Sequence, residues 1–118
     1  MADETEFNRQ KIRRLQRALA QVRLSIDASI TLPMLDTFLT VALNEGKSLT
    51  ELAQLLGGAS KSTTSRHLLE LSDHSRTGGD GYGLVERRTN PTNLRENTYT
   101  LTRKGRNLIN QIEAQLED

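Results

Sequence analysis

The chain contains no cysteine, which excludes disulfide bridges, thiol catalysis and thiolate-bound metal. Imidazole is almost as scarce. The two histidines, His67 and His74, have no ligand-like neighbour at metal spacing, so neither a metal site nor a cofactor is expected. No apolar run approaches the roughly 20 residues that span a bilayer. The opening MADETEF is acidic where a secretion signal would be basic. These absences predict a soluble, cytoplasmic protein with no membrane partner. A dominant charge is missing too: 16 Lys and Arg face 15 Asp and Glu, so bulk charge names no partner. No nucleophile, base and orienting group converge anywhere along the chain, and Ser or Thr without an activating partner is no sign of catalysis. The chain is not expected to be an enzyme.

At 118 residues the chain has room for one modest core. Its charges are segregated. Six basic residues and no acid lie between Arg9 and Arg23, and from Ser60 to Arg106 nine basic residues face five acidic ones. Such segregation suits a polyanionic partner, although charge runs are most often solvated helix faces.

The most informative stretch is Ser48 to Leu71, SLTELAQLLGGASKSTTSRHLLEL. Ser48-Leu-Thr-Glu51 is a capping box, and Leu49, Leu52, Ala53 and Leu56 mark the buried side of a short helix that stops at Gly57-Gly58. Ser60 can cap a second helix with Thr64, Leu68 and Leu71 inward. Lys61, Ser62, Ser65 and Arg66 then gather outward on its first half. This is the pattern of a helix-turn-helix, whose second helix enters the DNA major groove by its N-terminal end. Small hydroxyls permit close approach there, and Arg66 can reach a phosphate or a guanine. As mere surface, a run so rich in Ser and Thr would weaken the helix for no structural return.

On the near side, Glu4 to Ile26 reads as a helix. Its apolar residues Ile12, Leu15, Leu19, Val22 and Ile26 recur at spacings of a heptad seam, which fits pairing with a second chain better than packing on its own domain. A core helix follows from Pro33, with Leu35, Phe38, Leu39, Ala42 and Leu43 inward and Gly46 as its stop. On the far side, Ser72 to Gly83 reads as a flexible loop carrying four glycines, with His74 as a solvated loop residue and His67 as a packing or groove-flank residue. Leu84–Thr89 and Thr98–Thr102 read as strands joined by a polar tip, Asn90–Asn97. A hairpin after a helix-turn-helix is a wing, and Arg95 near its end can place a guanidinium in the minor groove. The last helix opens at Thr102-Arg-Lys-Gly-Arg and buries Leu108, Ile109, Ile112 and Leu116, against the first helix of its own or a partner chain.

With those residues named, the chain resembles the MarR family of winged-helix transcription regulators. The likeness runs from about Leu32 to Gly105 and is carried by SLTELAQLLG, SKSTTSRHLLEL, GLVERR and NPTNLRENTYTLTRKG. In that family the wing commonly reads Asp-Pro-x-Asp-x-Arg followed by Leu-Thr-x-x-Gly, and Pro91, Arg95, Leu101, Thr102 and Gly105 match in order. The resemblance implies a mainly α fold with a small β-hairpin, in which a winged helix-turn-helix (31–105) is flanked by an N-terminal dimerisation helix (1–30) and a C-terminal one (106–118). It implies a homodimer that binds double-stranded DNA at a pseudo-palindromic operator and regulates transcription, most simply as a repressor, in a bacterial nucleoid. Arg95 would probe the minor groove, with Arg87 and Arg88 near the backbone.

The expected DNA-contacting set is Thr50, Ser60, Lys61, Ser62, Thr63, Ser65, Arg66, Arg87, Arg88, Asn93 and Arg95. The expected dimer interface is Ile12, Leu15, Leu19, Val22, Ile26, Leu108, Ile109, Ile112 and Leu116. Three departures from the family stand out. Both wing acids are Asn here (Asn90, Asn93), which removes the carboxylate that usually steadies the wing arginine. Ser72–Gly83 is an insertion. The C-terminal helix is short, so a small-molecule effector pocket is expected to be reduced or absent. Two further readings of the same surface remain open: a winged-helix protein-interaction module, and an architectural or partition DNA-binding protein.

Overall fold

Every helix begins where a side chain takes up its free N–H groups. In the computed structural model, which describes residues 6–73 and 80–117, the Asn8 carboxamide accepts from the Gln10 and Lys11 N–H groups at 3.0 and 3.2 Å. It opens α1, Arg9–Ser25. The expected start at Glu4 lies outside the described residues, but Glu6 and Phe7 precede the helix, because Asn8 at the cap position is what begins it. Thr31 caps α2, Leu32–Leu43, with Pro33 in its first turn. Ser48 and Glu51 exchange both hydrogen bonds of the capping box, at 3.1 and 3.3 Å, at the head of α3, Leu49–Leu55. Ser60 accepts from the Thr63 N–H at 3.1 Å to start α4, Lys61–Leu71. Thr102 does the same for Gly105 at 3.0 Å, opening α5, Arg103–Leu116.

The sheet holds three strands rather than the two expected. β1, Lys47–Ser48, pairs antiparallel with β3, Asn93–Leu101, which also pairs with β2, Val85–Asn90. Both long strands reach further into the wing than the expected tip. Thr89 faces Asn97, but Asn90 faces Asn93, so residues 94–96 bulge out of the ladder around a turn at Pro91-Thr92. Two side-chain carbonyls shape this tip. Asn90 Oδ1 accepts from the N–H and hydroxyl of Thr92, at 3.0 and 2.9 Å, and Asn93 Oδ1 accepts from the Arg95 N–H at 3.1 Å. The two Asn residues steady the wing through its backbone.

One core joins all the layers. Phe38 and Val41 of α2, Leu52 of α3, Leu68 and Leu71 of α4, and Leu84 and Val85 before and within β2 are almost fully buried. Burial of this kind is worth about 1.5–3 kcal/mol per side chain. Leu43, expected inside, is 83% exposed, because five residues on a helix carry it about 140° around the axis from Phe38. Met34, Thr37 and Val41 take the inward positions instead. Val22 of α1 and Leu108 of α5 belong to this same core, and Ile26, Ile109 and Ile112 pack against it. The heptad seam is therefore divided. Val22 and Ile26 are used within the chain, while Ile12, Leu15 and Leu19 stay 52%, 51% and 37% exposed.

The start of α5 is set by a close approach. A side chain on Gly105 would collide with the Leu84 carbonyl oxygen. The Thr102 N–H donates to that same oxygen at 3.0 Å, and the Thr102 hydroxyl donates to the Gly83 carbonyl at 2.7 Å. Leu101 lies in the core. The Leu-Thr-x-x-Gly signature is thus a structural device that docks α5 onto the first wing strand.

Candidate nucleic-acid interface

The capped start of α4 presents its polar face as the 3.6-residue period requires. Thr64, Leu68 and Leu71 are buried, and Lys61, Ser62, Ser65 and Arg66 are exposed. Thr64 also donates its hydroxyl to the Ser60 carbonyl at 2.9 Å, which fixes the first turn. Ser60 itself is committed to the cap. Thr63 is half-buried and lines an apolar hollow with Leu32, Pro33, Leu56 and Ala59. Thr50, on the first turn of α3, is exposed.

The outward set divides into two sides. Ser65 shares a cleft of about 390 Å³ with Arg87 and Glu86 of β2, together with Leu69, Ser72, Asp73 and Tyr99. This cleft lies between α4 and the β2–β3 hairpin, and it sets Ser65 beside Arg87, a juxtaposition that helical period alone does not give. Arg66 turns the other way. It lines a smaller hollow of about 240 Å³ with Asp27, Ser29, Thr31, His67, Glu70 and Tyr82.

Ion pairing separates the cations further. Arg88 is held by Glu86 at 3.2 Å, its neighbour on the same face of the strand. Lys61, Arg66, Arg87 and Arg95 form no ion pair among the described residues, so their charge is available to an outside partner. Asn93 donates to Glu96 at 3.3 Å while accepting from the Arg95 backbone, so its side chain shapes the wing.

His67 stands at the edge of this surface. Burial disfavours its charged form, and the neighbouring Arg66 adds to that, so its pKa falls below 6.5 despite the opposing pull of Glu70. Among the described residues no group of three or more His, Asp or Glu is placed to hold a metal ion, and no helix is long and apolar enough to cross a membrane. His74 lies outside the described residues.

The ends of the insertion are more ordered than their glycine content suggests. Ser72–Gly83 reads as a flexible loop, yet its described flanks are laced to the end of α4. The N–H groups of Gly81, Tyr82, Gly83 and Leu84 donate to the carbonyls of Asp73, Glu70, Ser72 and Leu71 at 2.8–2.9 Å. The Tyr82 hydroxyl donates to Asp27 at 2.9 Å, and Lys104 donates to the Tyr82 carbonyl at 2.8 Å. A side chain at Gly81 would strike the Ser72 carbonyl oxygen. The available signal was the Gly-Tyr-Gly spacing, which admits such close backbone approach.

No known family profile matches the chain, and no curated protein matches it in sequence. Solved structures match it well. A MarR family transcription regulator shares 30% identity at a TM-score of 0.60, over 89% of this chain and 65% of that one. The transcriptional repressor CouR bound to a 23-mer DNA duplex gives 24% identity and a TM-score of 0.64, over 92% and 68%. The S. aureus MepR–DNA complex gives 18% and 0.68, over 86% and 73%. The chain thus spans about two thirds to three quarters of the length of these three structures.

Proposed function

We propose that this chain, a MarR-like winged helix by fold, is a sequence-specific double-stranded DNA-binding regulator of transcription. It acts as a homodimer on a pseudo-palindromic operator and represses by occluding promoter DNA. The observation that carries this reading is the placement of cations that form no ion pair among the described residues on the two elements that touch DNA in such folds. Lys61 and Arg66 stand on the first half of the recognition helix, and Arg87 and Arg95 on the wing. A protein that used this surface for its own stability would pair those charges, as it pairs Arg106 with Glu45 at 2.7 Å.

Division of labour follows from position. Lys61 and the Ser62 and Ser65 hydroxyls contact phosphates or base edges at the groove, and Arg66 reads a base. Arg95 enters the minor groove from the bulged tip, and Arg87 holds the backbone. Two recognition helices on a two-fold axis meet half-sites about 34 Å apart. Titration of duplexes selected from a random pool tests this. Arg66→Ala should cost about 1–3 kcal/mol and relax sequence discrimination, whereas Arg95→Ala should weaken binding with a milder loss of specificity. If both variants bind the selected duplex like the parent, the surface is wrong. Binding that is insensitive to salt would point to a protein-interaction module instead.

A further inference from the structure

We propose that the solvent face of α1 is a second duplex-binding surface, separate from the recognition helix and wing, which lets one protein assembly hold two segments of DNA. The helix carries six cations and no carboxylate across its 17 residues. Arg9, Arg13 and Arg17 recur every fourth residue, so they form one row, which starts beside Ile12 and runs onto the side away from Leu15, Leu19 and Val22. All three are exposed, and none forms an ion pair among the described residues. The Arg9 guanidinium sits over the Phe7 ring, 5.3 Å from its centre, which holds the outer end of the row in place.

Within α1 this row is electrostatically unfavourable. Like charges four apart repel, and cations in the first turn oppose the helix dipole. The first turn holds no acid to offset them. A polyanion laid along the row removes both penalties. Its chemistry favours nucleic acid: guanidinium binds phosphate oxygens in pairs, and the row is about 12 Å long at 1.5 Å per residue. A duplex offers one phosphate per about 3.4 Å along each strand, several within that span. An anionic membrane fits less well. A helix lying on lipid buries its whole apolar side, and in α1 Ala18 and Val22 are already buried within the protein, which leaves only Ile12, Leu15 and Leu19 of that side exposed.

The proposal rests on the DNA-binding reading only for its choice of polyanion, and the test keeps the two apart. Beads carrying a random-sequence duplex are loaded with protein and challenged with a second, labelled duplex. The full chain should capture the second duplex. The R9Q/R13Q/R17Q variant, whose helicity circular dichroism checks, should lose that capture. Its binding to random duplex should also have a salt slope shallower by roughly 0.9 per arginine, about 2.7 in all. The R9K/R13K/R17K variant keeps the charge and should restore much of the capture. Equal capture by parent and Gln variant overturns the proposal. So does a Gln variant that loses binding to phosphatidylserine vesicles while keeping duplex capture. R66A/R95A separates the readings, since loss of sequence preference with the slope from α1 retained supports both. Unchanged preference in R66A/R95A sinks the operator surface alone, and α1 is then judged on the Gln and Lys variants.

Discussion

The Tyr82 hydroxyl donates a 2.9 Å hydrogen bond to the carboxylate of Asp27, 55 residues earlier in the chain. Tyr82 lies near the end of the Ser72–Gly83 segment, with its N–H on the Glu70 carbonyl, and Asp27 sits in the turn between α1 and α2, so this bond ties the end of α4 to the base of α1. Ser29 supports it by donating its N–H and hydroxyl to the other carboxylate oxygen, at 2.8 and 2.9 Å. Tyr82→Phe keeps the ring and removes the tie. Thermal melts should show a Tm lower by a few degrees, and amide exchange at the end of α4 should quicken. Y82F/D27N should melt no lower than the more damaging single variant, because the two residues share one interaction. A fully additive double variant would mean that they act separately.

Acid sensitivity follows in two stages from groups whose pKa is depressed in the fold. His67 lies below its ordinary 6.5 through burial and then Arg66. The unfolded chain therefore takes up a proton first as pH falls, and stability declines from about 6.5 downward until His67 charges in the folded protein as well. Asp27 is held below its ordinary 3.8 by the Ser29 N–H, then by the Ser29 and Tyr82 hydroxyls. Glu51 is held below 4.5 by the Ser48 N–H and then its hydroxyl. Both contribute stability that is present above those values and lost as pH falls through the folded-state pKa. Urea titrations across pH should show a shallow decline below 6.5 and a steeper one below about 4. His67→Gln should flatten only the first and Asp27→Asn part of the second. A His67→Gln profile that still declines between 6.5 and 5 would sink the assignment.

Gly105 is a position where one added methyl group should destabilise the fold. Its Cα hydrogen faces the Leu84 carbonyl, with the Leu101 side chain beside it, and the obstacle is backbone, which cannot rotate aside. Gly105→Ala must push α5 away from β2, at a cost of about 1–3 kcal/mol by analogy with overpacked cores. A helix-interior Gly→Ala change would otherwise favour the folded state. The sign of the measured change therefore decides whether the close approach exists.

Legibility in the sequence followed the range of the interaction. The caps at Ser48 and Ser60 each act three residues away, and both are readable. So were Thr64, Leu68 and Leu71, because helical period alone puts them inward. What the pattern missed depends on distant partners. β1 has two residues and becomes a strand only by pairing with Thr98 and Tyr99. The insertion's ends are ordered by Asp27 and by carbonyls of α4, which glycine content alone cannot foretell. At the candidate interface, the helix wheel grouped Ser65 with Arg66 but could not show that Arg87 flanks one and Asp27 the other. The sequence shows the wing Asn residues only as lost carboxylates, whereas their carbonyl oxygens serve the turn backbone.

Dimerisation, finally, has a defined place to fail. Ile12, Leu15 and Leu19 lie on one side of α1, each between a third and about half exposed, and Leu116 near the end of α5 is 47% exposed. A second copy related by two-fold symmetry would cover this strip, each side chain gaining a share of the roughly 1.5–3 kcal/mol of full burial. Leu15→Glu with Leu19→Glu places two carboxylates in that strip without touching the core. Light scattering should find the parent dimeric and the variant monomeric, with helical content kept. Operator affinity should fall steeply, because two half-sites no longer act through one molecule. Leu55→Glu, a change at an equally exposed leucine on α3, should leave the dimer intact. A Leu15/Leu19 variant that stays dimeric would place the interface elsewhere and remove the geometric basis for a palindromic operator.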